Sequence, residues 1–371
     1  VGVDEVSARR SEHGAASLYT LGIGVVVGLV LAGLVTPFLL ADRTTTRVVS
    51  APVSTSGASD PGVTETSIKV GFTSPDLTRL GNFGFGDLDS GDARGRYQAL
   101  VDAVNAGGGI NGRTIEPVFT TYDFVEDSAT GAQGACTAMV TDQQVFAVVD
   151  AGPFPASGVS CYTGQQIPFL TLNGYNERAY ESGYLFTAFP SYERSLRDQV
   201  AYLDARGLLD GRTIGVFTDV GGARDAVESA LVPAVEAAGQ RVVDVEAVNE
   251  DATALQQAPV VLSNFKANNV DFVIVAALPL FARLLPGLAA QQGLQPVYAY
   301  SDFYNELADV YGDYGPGASG AIGVTATRVG DARGGIAAPD ADQECLDRLG
   351  GAEQLVRDEQ PYVVAMYQCA M

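Results

Sequence analysis

The chain is 371 residues long, enough for two ordinary domains with cores of their own. Its 22 basic against 44 acidic residues leave a formal net charge of −22, which excludes a nucleic-acid surface built on clustered Lys and Arg. The single histidine, His13, stands in an N-terminal tail (1–17), so no site further along can use a His base, a Ser-His-Asp triad or His-bound zinc.

Residues 18–41 carry no charge over 24 positions. As a helix this run would span about 36 Å, more than the hydrocarbon core of a bilayer. It is longer than the apolar region of an ordinary signal peptide, although Arg9 and Arg10 precede it. An uncleaved transmembrane anchor is therefore expected, with a removed signal as the alternative. Residues 42–67 form a tether; 11 of the 24 residues in 44–67 are Ser or Thr, without any helical or strand period.

From Ile68 onward short apolar strands alternate with amphipathic helices. Strands are predicted over 68–72, 114–119, 145–149, 167–171 and 184–189. Helices are predicted over 93–105 and 128–141, and from Ala156. The rhythm then repeats, with helices over 193–206, 223–238, 254–267 and 280–291. The strands between and after them are 213–217, 241–245, 272–276 and 297–300. Such alternation gives parallel sheets covered by helices on both faces, and the length favours two sheets over one. The expected fold is α/β, with two doubly wound lobes over 68–189 and 190–325.

The glycine clusters do not read as nucleotide sites. Gly107, Gly108 and Gly109 follow a helix, where the dipole repels phosphate, and so predict a cap and turn. Gly221 and Gly222 do open a helix after a strand, but neither GxGxxG nor a P-loop lysine is present. The Gly-rich run 81–86 reads equally as a surface loop or as a cover over a ligand. The four cysteines lack a C-x-x-C spacing. Behind an export segment they predict the disulfides Cys136–Cys161 and Cys345–Cys369; four free thiols would instead require a cytosolic domain.

The stretches IKVGFTSP (68–75), VDAVNAGGGINGRTIEPVFTTYD (101–123), VVDAGPFPAS (148–157), IPFLTLNG (167–174), 213–243 and DFVIVA (271–276) resemble the branched-chain amino-acid binding proteins. Those are type I periplasmic solute-binding proteins of ABC importers. The resemblance implies two lobes joined by a hinge, closing over a small-molecule solute that is handed to a membrane permease. It implies neither an enzyme nor a cofactor. With the apolar run and the paired cysteines, the expected location is outside the cytoplasm, anchored in the cell membrane by the N-terminal helix or exported after signal cleavage.

Ligands in such sheets lie outside the carboxyl ends of the strands. There the expected site residues are Phe83, Ser157, Thr171 and Asn173 in the first lobe and Asp219 and Asp302 in the second. Ser157 resembles the family's carboxylate-binding serine and Thr171 its partnering threonine. An acidic residue of the second lobe, Asp302 foremost, would meet a ligand ammonium. The plainer alternatives are that Ser157 caps a helix and that the two aspartates sit in turns. In place of the family's Tyr-Gly pair after the second-lobe strand stand Val220, Gly221 and Gly222. Residues 326–371 are expected to cross back to the first lobe, and by the resemblance to lack further elements after residue 371. A ligand-sensing ectodomain of the same fold is the alternative function.

Overall fold

The computed structural model describes residues 60–76, 91–123, 128–152, 154–249, 254–277, 279–301, 316–325, 336, 340–349, 365–366 and 368–369. The apolar run 18–41 therefore lies outside the described residues, as do Phe83 and Asp302. Among the described residues no helix is long and apolar enough to cross a membrane.

The first lobe holds β1 (Ser67–Asp76), α1 (Ala93–Ala106), β2 (Thr114–Asp123), α2 (Ser128–Thr137), β3 (Ala147–Asp150), α3 (Ala156–Gly164), β4 (Phe169–Thr171) and β5 (Leu185–Thr187). Its five strands are parallel, in the order β2-β1-β3-β4-β5. Ile68, Val70 and Phe72 turn one face of β1 onto Tyr97 and Val101 of α1. On the opposite face Val148 and Phe169 meet Ala132, Cys136, Met139, Val159 and Tyr162 from α2, the turn after it and α3. A sheet covered on both sides needs apolar residues on both faces, which explains the unbroken apolar runs.

The second lobe begins with α4 (Tyr192–Ala205) and continues with β6 (Ile214–Asp219), α5 (Gly222–Ala226), α6 (Val232–Ala237), β7 (Val242–Val248), α7 (Ala254–Ala267), β8 (Phe272–Ala276), α8 (Pro279–Gln291), β9 (Val297–Ser301) and β10 (Ile322–Val324). The strand order is β10-β9-β8-β6-β7, again all parallel. Counted from its own first strand, this is the topology of the first lobe. α4 packs Leu196, Val200 and Leu203 against Ile214, Val216 and Ile274, so it belongs to the second core.

Two helices read as continuous from the sequence are interrupted. Ser128–Thr137 passes into a π turn at Ala138–Asp142, and Val227–Leu231 is a second π turn between α5 and α6. The second has a visible cause. Pro233 lies in the first turn of α6, where its ring would meet the carbonyl of Glu228 or Ser229 in a regular helix.

The segment NAGGGINGR is a turn device. Asn105 closes α1 onto β2, accepting from Ile115 N at 2.7 Å and donating through Nδ2 to Ile115 O at 3.0 Å. Asn111 and Gly112 both take positive φ, 51° and 79°, between the bridged residues Ile110 and Arg113. That is a two-residue hairpin turn for which Asn-Gly is the favoured pair. A side chain at Gly109 would fall 2.0 Å from Arg113 O, so glycine is required there.

The chain returns to the first lobe at its far end. Leu346 and Leu349 of α9 (Asp340–Leu349) pack with Ala365, Met366, Leu172 and Phe189, and Leu100 of α1 borders the cluster. Arg96 is fully buried beside them and donates from Nε to Gln368 Oε1 at 2.5 Å. Two disulfides are formed, Cys136–Cys161 between α2 and α3, and Cys345–Cys369 across the C-terminal cluster. Closing a 25-residue loop stabilises a fold by about 3 kcal/mol through the unfolded state. Paired Cys136→Ala and Cys161→Ala substitutions are therefore expected to lower the urea midpoint of unfolding, whereas an unchanged midpoint would show that this bond does not form in solution.

Candidate functional site

Because each sheet has the same strand order, each has a switch point beside its first strand, between β1 and β3 and between β6 and β8. Loops diverge there at the carboxyl ends and leave a crevice. The carboxyl edges of the two sheets approach each other where the loop after β4 meets the start of α5. A methyl placed on Gly222, at the start of α5, would stand 3.4 Å from Asn176 Nδ2 in the loop after β4. Around this approach the lobes are stitched together. Tyr192 N donates to Tyr175 O at 2.9 Å, Glu177 N donates to Glu193 Oε2 at 2.8 Å, and Arg197 pairs with Glu177 at 2.5 Å.

The described members of the expected site occupy three different settings. Ser157 is exposed in the first turn of α3. The residue before that helix is Pro155, which offers no side-chain cap, and so Ser157 is not the cap. A helix start without a side-chain cap presents N–H donors and the positive end of its dipole, a setting suited to an anion.

Thr171 and Asn173 are both buried at the end of β4. Thr171 Oγ1 accepts from Asn173 N at 3.3 Å, and Asn173 Nδ2 donates to Gly152 O at 2.9 Å. Their polar groups thus hold the first-lobe loops in place. Asp219 is wholly buried at the end of β6. Beside it Thr218 Oγ1 donates to Ala276 O at 2.9 Å and Val220 N to Val248 O at 2.9 Å, which keeps the ends of β6, β7 and β8 level.

One group at this edge was not singled out from the sequence. Asp150 closes β3 as a fully buried carboxylate. It accepts from the Thr73 hydroxyl of β1, from Gly152 N at 2.8 Å and, more distantly, from Tyr122 OH at 3.5 Å. Burial pushes its pKa up to about 7, against the pull of those three hydrogen bonds. The folded form then binds this proton more tightly than the unfolded chain. The stability it contributes is therefore fullest at acid pH and is lost as pH rises to about 7. The available signal was an aspartate directly after the apolar run VFAVV, where a strand leaves its core.

Burial likewise raises the phenols of Tyr97, Tyr122, Tyr162 and Tyr175 well above their ordinary range. Among the described residues no group of His, Cys, Asp and Glu side chains is arranged to hold a metal ion.

Residues 67–341 match the periplasmic binding protein family, a span that includes both sheets. In fold the chain is similar to LivJ of Streptococcus pneumoniae, a branched-chain amino acid transporter substrate-binding protein solved with isoleucine. The identity is 17%, 82% of each chain is covered, and the TM-score is 0.56. The leucine-binding protein LivK of Thermotoga maritima is similar at 14% identity over 81% of each chain, with a TM-score of 0.58. A solute-binding protein of an ABC transporter from R. palustris, solved with 4-hydroxybenzoate, is similar at 15% identity over 82% of this chain and 78% of that one, with a TM-score of 0.56. No curated protein matches the chain. Identities this low convey the fold alone, but the family match extends from the first strand to the start of α9: this chain belongs to the periplasmic binding protein family.

Proposed function

We propose that the chain is the extracytoplasmic substrate-binding protein of an ABC importer, taking a small solute with a carboxylate group, an amino acid or related compound, between its lobes. The observation that carries the reading is the approach of the two carboxyl edges at Gly222 and Asn176, together with a first-lobe helix start that has no side-chain cap. The ligands seen with LivJ and with the R. palustris protein, isoleucine and 4-hydroxybenzoate, share a carboxylate and little else. Closure over such a solute follows from contacts that exist only when both lobes touch it. The closed form would then be the one offered to the permease.

In this reading Ser157 and the first N–H groups of α3 receive the carboxylate. Thr171 and Asn173 fix the wall beside it, and Phe83 covers it. Asp302 meets the far end of the solute, with Asp219 at the base of the second-lobe loops. A lost charge-assisted hydrogen bond in a closed cleft costs about 1.5–3 kcal/mol. Calorimetric titration with isoleucine, leucine and 4-hydroxybenzoate is expected to show binding of at least one, weakened roughly tenfold to a hundredfold by Ser157→Ala or Asp302→Ala. Unchanged affinity in both variants would move the site elsewhere, and no heat with any of the three would count against a carboxylate solute.

The run 18–41 is proposed to anchor the protein, with 42–67 as the tether that lets the lobes reach the permease. Its length and lack of charge support this reading. The protein is expected to remain in the membrane fraction after a high-salt wash and to keep its N-terminal peptide in mass spectrometry. A mature product beginning after residue 41 would identify the run as a cleaved signal.

A further inference from the structure

Among the described residues of the first lobe, Asp150 is a fully buried carboxylate whose bonds reach three separate elements at the sheet edge. Through Thr73 it holds the end of β1, and through Tyr122 the end of β2. Through Gly152 N it holds the loop that leads from β3 to α3. Gly152 is gripped from the other side as well, its carbonyl accepting from Asn173 Nδ2 at 2.9 Å. It leaves no room for a side chain, since a methyl there would fall 2.4 Å from Pro75 and 3.1 Å from Tyr122 Oη. Two residues on, Phe154 O receives the Tyr175 hydroxyl at 2.8 Å. Gly152 and Phe154 are thus both fastened shortly before the first turn of α3, where Ser157 stands.

We infer that Asp150 is a positioning residue for solute binding: its carboxylate sets the β3–α3 loop through Gly152 N, and the hold tightens when the carboxylate is ionised. The inference rests on the reading of the cleft as a solute site. An N–H bonded to a charged carboxylate is roughly twice as strongly held as one bonded to a neutral acid. Both protonation states can be housed. When Asp150 takes up a proton, the Thr73 hydroxyl can turn to accept it, while Gly152 N keeps its acceptor but loses the charge.

The groups facing Asp150 do not compete with it over the physiological range. Tyr97 comes from α1, Tyr122 from β2, Tyr162 from α3 and Tyr175 from the loop after β4, and all are phenols held neutral by burial. Arg96 lies beyond Tyr97 and acts on that phenol. The chain has a single histidine, in its N-terminal tail. Among these groups a pH response near neutrality is therefore a response of Asp150, whose ionisation falls at about 7.

The test uses the full chain without ligand, isotope-labelled at the alanine carbonyl and the glycine nitrogen. Only four Ala–Gly pairs occur in the sequence, at Ala32–Gly33, Ala106–Gly107, Ala151–Gly152 and Ala238–Gly239, so the Gly152 amide is one signal among four. Its shift is expected to follow a single titration with a midpoint near 7. The response should be absent in Asp150→Asn. In Thr73→Val, which removes a bond to the ionised form, the midpoint should move upward. A Gly152 amide that does not titrate, or that titrates alike in all three proteins, would overturn the inference.

The second arm measures isoleucine affinity at about pH 5.5 and about pH 8.5, on either side of the ionisation. The parent is expected to bind about tenfold more tightly at the higher pH and Asp150→Asn equally at both. Equal pH slopes in the two would overturn the link to binding. Absence of isoleucine binding with an intact Gly152 titration would count against the proposed solute, while the positioning of the loop would stand.

Discussion

A parallel strand buried on both faces cannot turn back beside itself; the chain must return along a covering helix before the next strand can start. β1, β2, β3, β6, β7 and β8 are each followed by a helix that leads to the next strand of their sheet, and the consequence is spatial. All strands of a sheet end at one edge, and every loop leaving that edge has to climb from the sheet to a helix. Where successive crossovers go to opposite sides of the first strand, the loops part. Two sheets with the same strand order therefore present two such partings, and the close approach of Gly222 to Asn176 brings the two carboxyl edges near each other. The cleft is a result of topology before any side chain is chosen.

Side chains then decide how stiff each wall is. At the first-lobe edge the polar groups are largely spent on backbone. Thr171, Asn173, Tyr175 and Asp150 each hold a loop atom, and each is buried. What remains outward is the start of α3 with Ser157. Such a wall is preorganised, since little of it must be ordered when a ligand arrives. The cost is a carboxylate held away from water without a cationic partner among its bonded groups, and the shifted ionisation of Asp150 is the physical expression of that cost.

The elements were legible in the sequence because a doubly covered strand leaves a plain trace: the apolar runs at 214–217 and 272–276 can hardly be anything else. Strand ends were less legible, since β1 and β2 each run several residues past their apolar part to Asp76 and Asp123. Those extensions are held by pairing with each other in register, a long-range fact that no local pattern carries. The π turns escaped for a similar reason, because apolar spacing changes little when one residue is added to a turn. The resemblance was carried most strongly by NAGGGINGR, and this segment proves to be a cap and a hairpin turn remote in role from any ligand. Features needed for folding can mark a family without marking its site. Asp150 had the opposite fate: its identity was visible, but its solitude among phenols depends on Thr73, Tyr97 and Tyr122, which come from three other elements.

The return of the chain to the first lobe has a mechanical meaning. β1 opens the described body, and Gln368, bonded to Arg96 of α1, stands near its close. Both belong to the first lobe, so the second is in effect spliced into it. Tension applied across the two ends would load the first lobe, with Cys345–Cys369 acting as a strap over the returning segment. The second lobe would bear almost none of that load.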